Sequence, residues 1–139
     1  MCIRDRYRKI IRPRQKELFR FVKERTDAYL FYHTCGSVMQ YIPDLIQLGV
    51  DILNPLQVTA RGMDPARLKS QFGDRLTFWG GIDTQHTLPR GSREEVKQQV
   101  RERVAVLGER GGYVLNSVHN IQADVPPENS LAMYDPALR

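Results

Sequence analysis

The stretch Ala28-Tyr29-Leu30-Phe31-Tyr32-His33-Thr34-Cys35-Gly36-Ser37 decides the fold. Its first part is an apolar and aromatic run of strand length. It ends abruptly in a histidine, a cysteine and a glycine that can turn the chain into a helix. His33 and Cys35 are two residues apart, so in extended backbone their side chains leave on the same side, as two ligands of one metal ion must. The competing reading of so short a motif is a packed cysteine beside a hydrogen-bonded histidine.

Outward from this strand, elements alternate regularly. Val38, Met39, Ile42, Leu45 and Ile46 make one face of a helix that Gly49 closes. Val50 to Leu53 is a short buried-strand run ending in Asn54-Pro55-Leu56-Gln57, and Asp64-Pro65 is an N-cap with a first-turn proline for a helix through Lys69 to Phe72. Leu76 to Trp79 is a third strand, stopped by Gly80-Gly81, which read as a tight turn before Ile82-Asp83. Ser92-Arg93-Glu94-Glu95 is a capping box, followed by Val96, Val100, Val104 and Leu107 at helical spacing. Gly111-Gly112 leads into a fourth strand, Tyr113 to Asn116, and Pro126-Pro127 opens a last helix containing Leu131, Ala132 and Met133.

Four strand–helix units with short apolar strands predict a parallel sheet with helices packed outside. Their spacing suits a (β/α) barrel, with an open flavodoxin-like or Rossmann-like sheet as the competitor. No G-x-G-x-x-G follows a strand, which leaves little room for dinucleotide binding or an oxidoreductase.

The ends of the strands carry the functional argument. Each stops in groups able to bind something: His33 and Cys35; Asn54 and Gln57; Asp83 with Gln85; Asn116, His119 and Asn120. Taken singly, each reads as a turn residue or helix cap. Four in register, on the face where parallel α/β folds place their sites, predict a binding site, with Asn54, Gln57, Asp83 and Asn116 as substrate contacts. His86, in the loop after Asp83, reads as a surface residue.

Composition bounds what the chain can do. At 139 residues, with 41% apolar and 27% charged, it is ordinary globular material. No apolar window of about 18 residues predicts a membrane span, and charges stand where a secretory signal needs an apolar core. Two cysteines, Cys2 and Cys35, exclude a disulfide scaffold and suit a reducing, cytoplasmic setting. The net charge of +5 is concentrated in residues 1–25, which carry ten basic and three acidic residues and leave the remainder at −2. A helix over Tyr7 to Arg25, with Ile10, Ile11, Leu18, Phe19 and Val22 near one face, is expected to be a solvated surface helix rather than a nucleic-acid contact. The opening Met-Cys-Ile-Arg-Asp-Arg resembles the translated adapter remnant that begins many reading frames assembled from metagenomic reads, so residues 1–6 are expected to be a non-native tail and 7–139 part of a longer domain.

His33-Thr34-Cys35-Gly36, Gly49-Val50-Asp51-Ile52-Leu53-Asn54-Pro55, Phe78-Trp79-Gly80-Gly81-Ile82-Asp83, Gly91 to Val96 and Pro126-Pro127-Glu128-Asn129 together resemble the C-terminal half of the uroporphyrinogen decarboxylase superfamily. The resemblance implies an α/β fold, the last four or so β/α units of a TIM-type (β/α)8 barrel. It also implies one of two chemistries. Decarboxylases of the superfamily act on a tetrapyrrole without metal and carry a histidine after the last strand, the position of His119, although their glycine neighbours are replaced here by Val118 and Asn120. Zinc-dependent methyltransferases carry H-x-C-G where this chain has His33 to Gly36, with a cysteine in place of His119, and move a methyl group from a corrinoid protein to a thiol. The H-x-C-G motif favours the second branch and implies zinc held by His33, Cys35 and His119. Decarboxylation in porphyrin biosynthesis, with His119 catalytic, or an inactive family member are the alternatives. The resemblance places the acidic residue of the decarboxylases, and any fourth zinc ligand, in an N-terminal half.

Overall fold

A computed structural model describes residues 3–135. Met1 and Cys2, and with them one of the two thiols and the start of the expected tail, lie outside the described residues, as do residues 136–139.

Four strands form one parallel sheet in the order β1 (Phe31–His33), β2 (Ile52–Leu56), β3 (Thr77–Ile82) and β4 (Tyr113–Ser117). Every strand pairs with its neighbour in sequence, and Phe31 meets Ile52, Leu53 meets Phe78 and Trp79 meets Val114. Among the described residues the strand order never reverses, so these four strands show no switch point of the kind an open doubly wound sheet requires. Sequential parallel neighbours are what a barrel wall needs.

The helices are α1 (Ile3–Arg6), a π-helical turn over Tyr7–Ile11, α2 (Arg12–Lys23), α3 (Ile42–Gln47), α4 (Pro65–Phe72), α5 (Thr87–Arg90), α6 (Arg93–Leu107) and α7 (Pro127–Tyr134). Two caps follow the sequence rules. Asp64 accepts from the Arg67 amide at 2.8 Å, and Ser92 and Glu95 exchange both bonds of a capping box. The expected helix from Val38 begins later, because Val38 to Tyr41 closes a turn through Tyr41 N–H and Val38 O, and Pro43 then occupies the first turn of α3.

One core lies under β1 to β3, where Leu53, Leu56 and Phe78 meet Ile42, Leu45 and Leu68. A second forms where Ile82 meets Val96, Val100, Ala132 and Met133 of α6 and α7. On the opposite face the aromatic rings of Phe31 and Trp79 meet edge-on at 5.3 Å between centroids, and Phe31 is 47% exposed.

The basic helix departs from expectation. Of its five stripe residues Phe19 alone is buried, while Ile10, Ile11 and Leu18 are exposed. The helix is oriented by charge instead. Arg8 Nε donates to Asp44 Oδ2 at 2.9 Å and Arg12 Nε lies 3.0 Å from Oδ1, around a carboxylate that is buried in α3. A buried carboxylate demands cations, and two arginines of the helix supply them. Lys23 pairs likewise with Asp51 at 2.5 Å. Part of the basic excess is therefore structural rather than solvated.

The glycine pair is also corrected. Gly80 and Gly81 are not a turn but lie inside β3, with φ of +121° and +94°. A Cβ on Gly80 would stand 3.0 Å from the Leu56 amide nitrogen, and one on Gly81 3.1 Å from the Tyr113 hydroxyl, which donates to Gly80 O at 2.8 Å. The pair exists because neighbouring strands come too close for a side chain.

Candidate functional site

The C-terminal ends of the strands converge. His33 is the last residue of β1 and stands in register with Asn54 of β2. That pairing puts His33 Nδ1 2.6 Å from Asn54 Oδ1. A carboxamide oxygen accepts only, so Nδ1 donates and the lone pair of the neutral ring is left on Nε2. Nε2 lies 3.4 Å from the Cys35 sulfur. The Cys35 loop is held by Gln57, whose Oε1 accepts the Gly36 amide at 2.7 Å. Asn54 and Gln57, expected to contact substrate, are thus each engaged by the His33–Cys35 turn.

His119 follows β4 and faces the pair, its ring centroid 6.3 Å from that of His33 at an interplanar angle of 81°. His33, Asn54, Asn116 and His119 share a cavity of about 610 Å³ with Phe31 and Trp79. Cys35, Gln57, Asp83 and His119 line an adjoining one of about 370 Å³. His119 belongs to both. Asn116 spends its oxygen on the Ser117 amide at 2.9 Å, which aims the amide group's donors elsewhere.

Asp83 sits differently. It is 4% exposed, and its carboxylate accepts from the amides of Gln85, His86 and Thr87 at 3.0 to 3.1 Å while its own amide donates to Gln99. Those amides belong to the turn that leads into α5 and to its first residue, Thr87. His86 is exposed, as expected, with its ring 3.5 Å from Asp83.

The fit of zinc can be judged from the donor set. Tetrahedral zinc with one thiolate and one imidazole keeps sulfur and nitrogen about 3.6 Å apart, and the observed separation is 3.4 Å. One soft and one borderline donor, the imidazole fixed through its other nitrogen, is the arrangement that zinc accepts. His33 and Cys35 therefore fit. The triad is not closed: among the described residues no three His, Cys, Asp or Glu side chains are gathered closely enough to hold a metal.

Sequence reasoning missed a third cavity, of about 800 Å³, on the other side of Cys35. Tyr7, Tyr32 and Tyr41 form its aromatic wall, tied by a relay in which Tyr7 donates to Gln15 and Gln15 to Tyr32. Desolvation pushes the Tyr7 hydroxyl up to about 12. The tyrosines are scattered in sequence, so no local signal marks them. The aromatic floor of Phe31 and Trp79 was hidden for the same reason.

A model of the family described as uroporphyrinogen decarboxylase (URO-D) matches residues 3–137. The chain belongs to the uroporphyrinogen decarboxylase family. Among members of that family, the uroporphyrinogen decarboxylase of Psychromonas ingrahamii is 34% identical over 73 residues, 52% of this chain and 20% of that protein. The one from Pelodictyon phaeoclathratiforme is 24% identical over 131 residues, 90% of this chain and 35% of that protein. The chain thus spans about a third or less of the length of the curated relatives it matches. A methyltransferase from Methanosarcina mazei superposes with a TM-score of 0.76 at 20% identity, covering 98% of this chain and 37% of that one. Identity that low shows shared fold alone. The four sequential parallel strands are a sector of a TIM-type barrel, and the site lies on the face where URO-D family barrels, like all such barrels, carry their loops for chemistry.

Proposed function

We propose that this chain carries the zinc-binding side of a methyl-transfer site, and that the whole protein moves a methyl group from a corrinoid, carried on a corrinoid protein, to a thiol. One observation carries the reading: His33 Nε2 faces the Cys35 sulfur at 3.4 Å. Decarboxylation has no use for a soft thiolate beside an imidazole, whereas zinc takes both donors.

In this reading His33 and Cys35 would hold the metal, with His119, across the cavity, as the third donor of a catalytic rather than a structural site. Zinc, when bound, would supply Lewis acidity of the kind that lowers the pKa of an acceptor thiol. The thiol sulfur forms the new bond to the methyl carbon, the thiol proton leaves to solvent, and the electron pair of the cobalt–carbon bond stays with the corrinoid. Asn116 offers its amide hydrogens to a substrate, Asn54 and Gln57 hold the two metal ligands, and Asp83 keeps the loop from β3 to α5 in place.

The second reading is decarboxylation of a tetrapyrrole, favoured by the names of the curated relatives. There His119 is the functional group, hydrogen bonding or protonating substrate, and Cys35 is incidental.

Metal analysis and activity of the whole protein separate the two. Methyl transfer requires about one zinc per chain, loss of activity with chelator, loss of zinc in Cys35→Ser, and retained zinc in His119→Cys, where a thiolate replaces the imidazole. A metal-free protein that decarboxylates a porphyrinogen despite chelator, is indifferent to Cys35→Ser and is inactivated by His119→Cys would overturn it.

A further inference from the structure

We infer that Asn54 is a positioning residue, and that its task is to hold the His33 ring as the Nδ1–H tautomer. For its consequence at a metal this rests on the zinc reading; for the tautomer it does not.

The two side chains meet by construction. His33 and Asn54 are register partners on adjacent parallel strands, and the Thr34 amide donates to Asn54 O at 2.6 Å, which locks the strands at that level. Asn54 is 8% exposed, whereas His33 is exposed. The buried partner therefore dictates the geometry of the exposed one. Its oxygen, 2.6 Å from Nδ1, has no proton to give. A neutral imidazole carries one proton, and with Nδ1 committed as donor the Nε2 lone pair faces Cys35 at 3.4 Å.

Without Asn54 nothing in this contact set chooses between the tautomers. The proton could then sit on Nε2, between the two atoms that must both present lone pairs to a cation. Gln57, three residues further along the chain, does the matching task for the sulfur by accepting the Gly36 amide. Two amide side chains at the end of β2 thus preset the angle between the donors on β1, and the cation class that suits the result is a borderline divalent ion.

The tautomer is read on the metal-free whole protein of which this chain is a part. It is labelled with ¹⁵N-histidine and held about two pH units above the ordinary imidazole pKa of about 6.5. With three histidines in the chain, His33→Gln assigns the signal. Wild type and Asn54→Asp, which keeps an acceptor, should show Nδ1–H; Asn54→Leu should show Nε2–H or an averaged mixture. Circular dichroism checks the variants, and should Asn54→Leu not fold, wild type alone still decides, because Nε2–H there overturns the assignment. Cobalt(II) titration is the second arm: Asn54→Leu should bind roughly 10–100-fold more weakly, with Asn54→Asp close to wild type. An Asn54→Leu variant that keeps both tautomer and affinity overturns the proposal. If the tautomer responds as stated and no variant binds metal, the positioning role stands and the zinc reading falls.

Discussion

Cys35 Sγ and His33 Nε2 face each other at 3.4 Å across a single intervening residue, on side chains that are both exposed. Exposure matters, because a thiol and an imidazole that merely filled a core would be shut off from solvent. The pair is open to an incoming ion. The expected outcome is that the chain takes up zinc and that Cys35→Ser or His33→Ala weakens uptake by more than the roughly 100-fold that loss of an outer-shell partner costs. Equilibrium competition with a chromogenic chelator measures it, and wild-type binding no tighter than that of Cys35→Ser would show the pair to be no ligand set.

Asp83 is expected to matter through stability. Its carboxylate satisfies three amides in the turn that leads into α5 and at its first residue, and is buried. Asp83→Ala strands those donors and should cost about 2–3 kcal/mol in denaturant unfolding. Asp83→Asn keeps an acceptor and should lose less. A full loss of ligand binding in Asp83→Asn at wild-type stability would restore the substrate contact that the sequence suggested.

Much of the fold was legible because its signals are local. Asp64-Pro65 and Ser92 to Glu95 cap helices by rules confined to four residues, and the apolar strand runs lie at about the right places, although β1 begins three residues after Ala28 and β2 and β3 each run three residues past the expected Leu53 and Trp79. What escaped was non-local. The need for glycine at 80 and 81 comes from Leu56 and Tyr113, two strands that sequence cannot bring together. The orientation of the basic helix comes from Asp44, whose burial no periodicity reveals. Asn54 looked like a loop residue after its strand. It is inside β2, and only the register with His33 shows what its side chain touches.

Gly80→Ala should be costly although it adds one methyl group. A φ of +121° is strained for any side chain, and the new carbon would meet the Leu56 amide nitrogen at 3.0 Å, backbone that cannot move aside without breaking β2 from β3. Strain of this kind costs on the order of 1–3 kcal/mol before the contact is counted. Chemical denaturation measures it; a stability within 0.5 kcal/mol of wild type, the scatter about zero of ordinary surface changes, would show that the strands yield.

Alkaline pH should loosen the molecule through two tyrosines. Burial raises the Tyr7 hydroxyl to about 12 and pushes that of Tyr113 up as well. A folded-state pKa above the unfolded value of about 10 means that the folded chain holds the proton more tightly. The associated stability is therefore intact below about pH 10 and is lost as pH rises through the folded value. Tyr113 is the more telling, since its proton is the one donated to Gly80 O. Near-ultraviolet absorbance should show two of the six tyrosines titrating late, together with unfolding. Tyr113→Phe should remove part of that late step, and all six ionising near pH 10 in the folded chain would contradict the burial argument.

The barrel arithmetic supplies the last prediction. A closed TIM-type wall needs eight strands and this sheet has four, so β1 and β4 present free edges. The face that would line a barrel interior carries Phe31, nearly half exposed, against Trp79. A neat closure by a second copy is disfavoured by its own geometry. The chain has a helix before β1 and another after β4, and in a four-plus-four ring both would claim the space between β4 of one copy and β1 of the next. Open edges and an uncovered aromatic face without a fitting partner favour irregular association. The 139-residue chain expressed alone is therefore expected to be aggregated, dimeric or loosely folded, with its single tryptophan, Trp79, reporting association by a concentration-dependent emission shift. Phe31→Lys should reduce association by placing charge on the exposed face while leaving the helical content intact. Sedimentation of a monomer that unfolds in one sharp cooperative transition would show instead that four strands suffice.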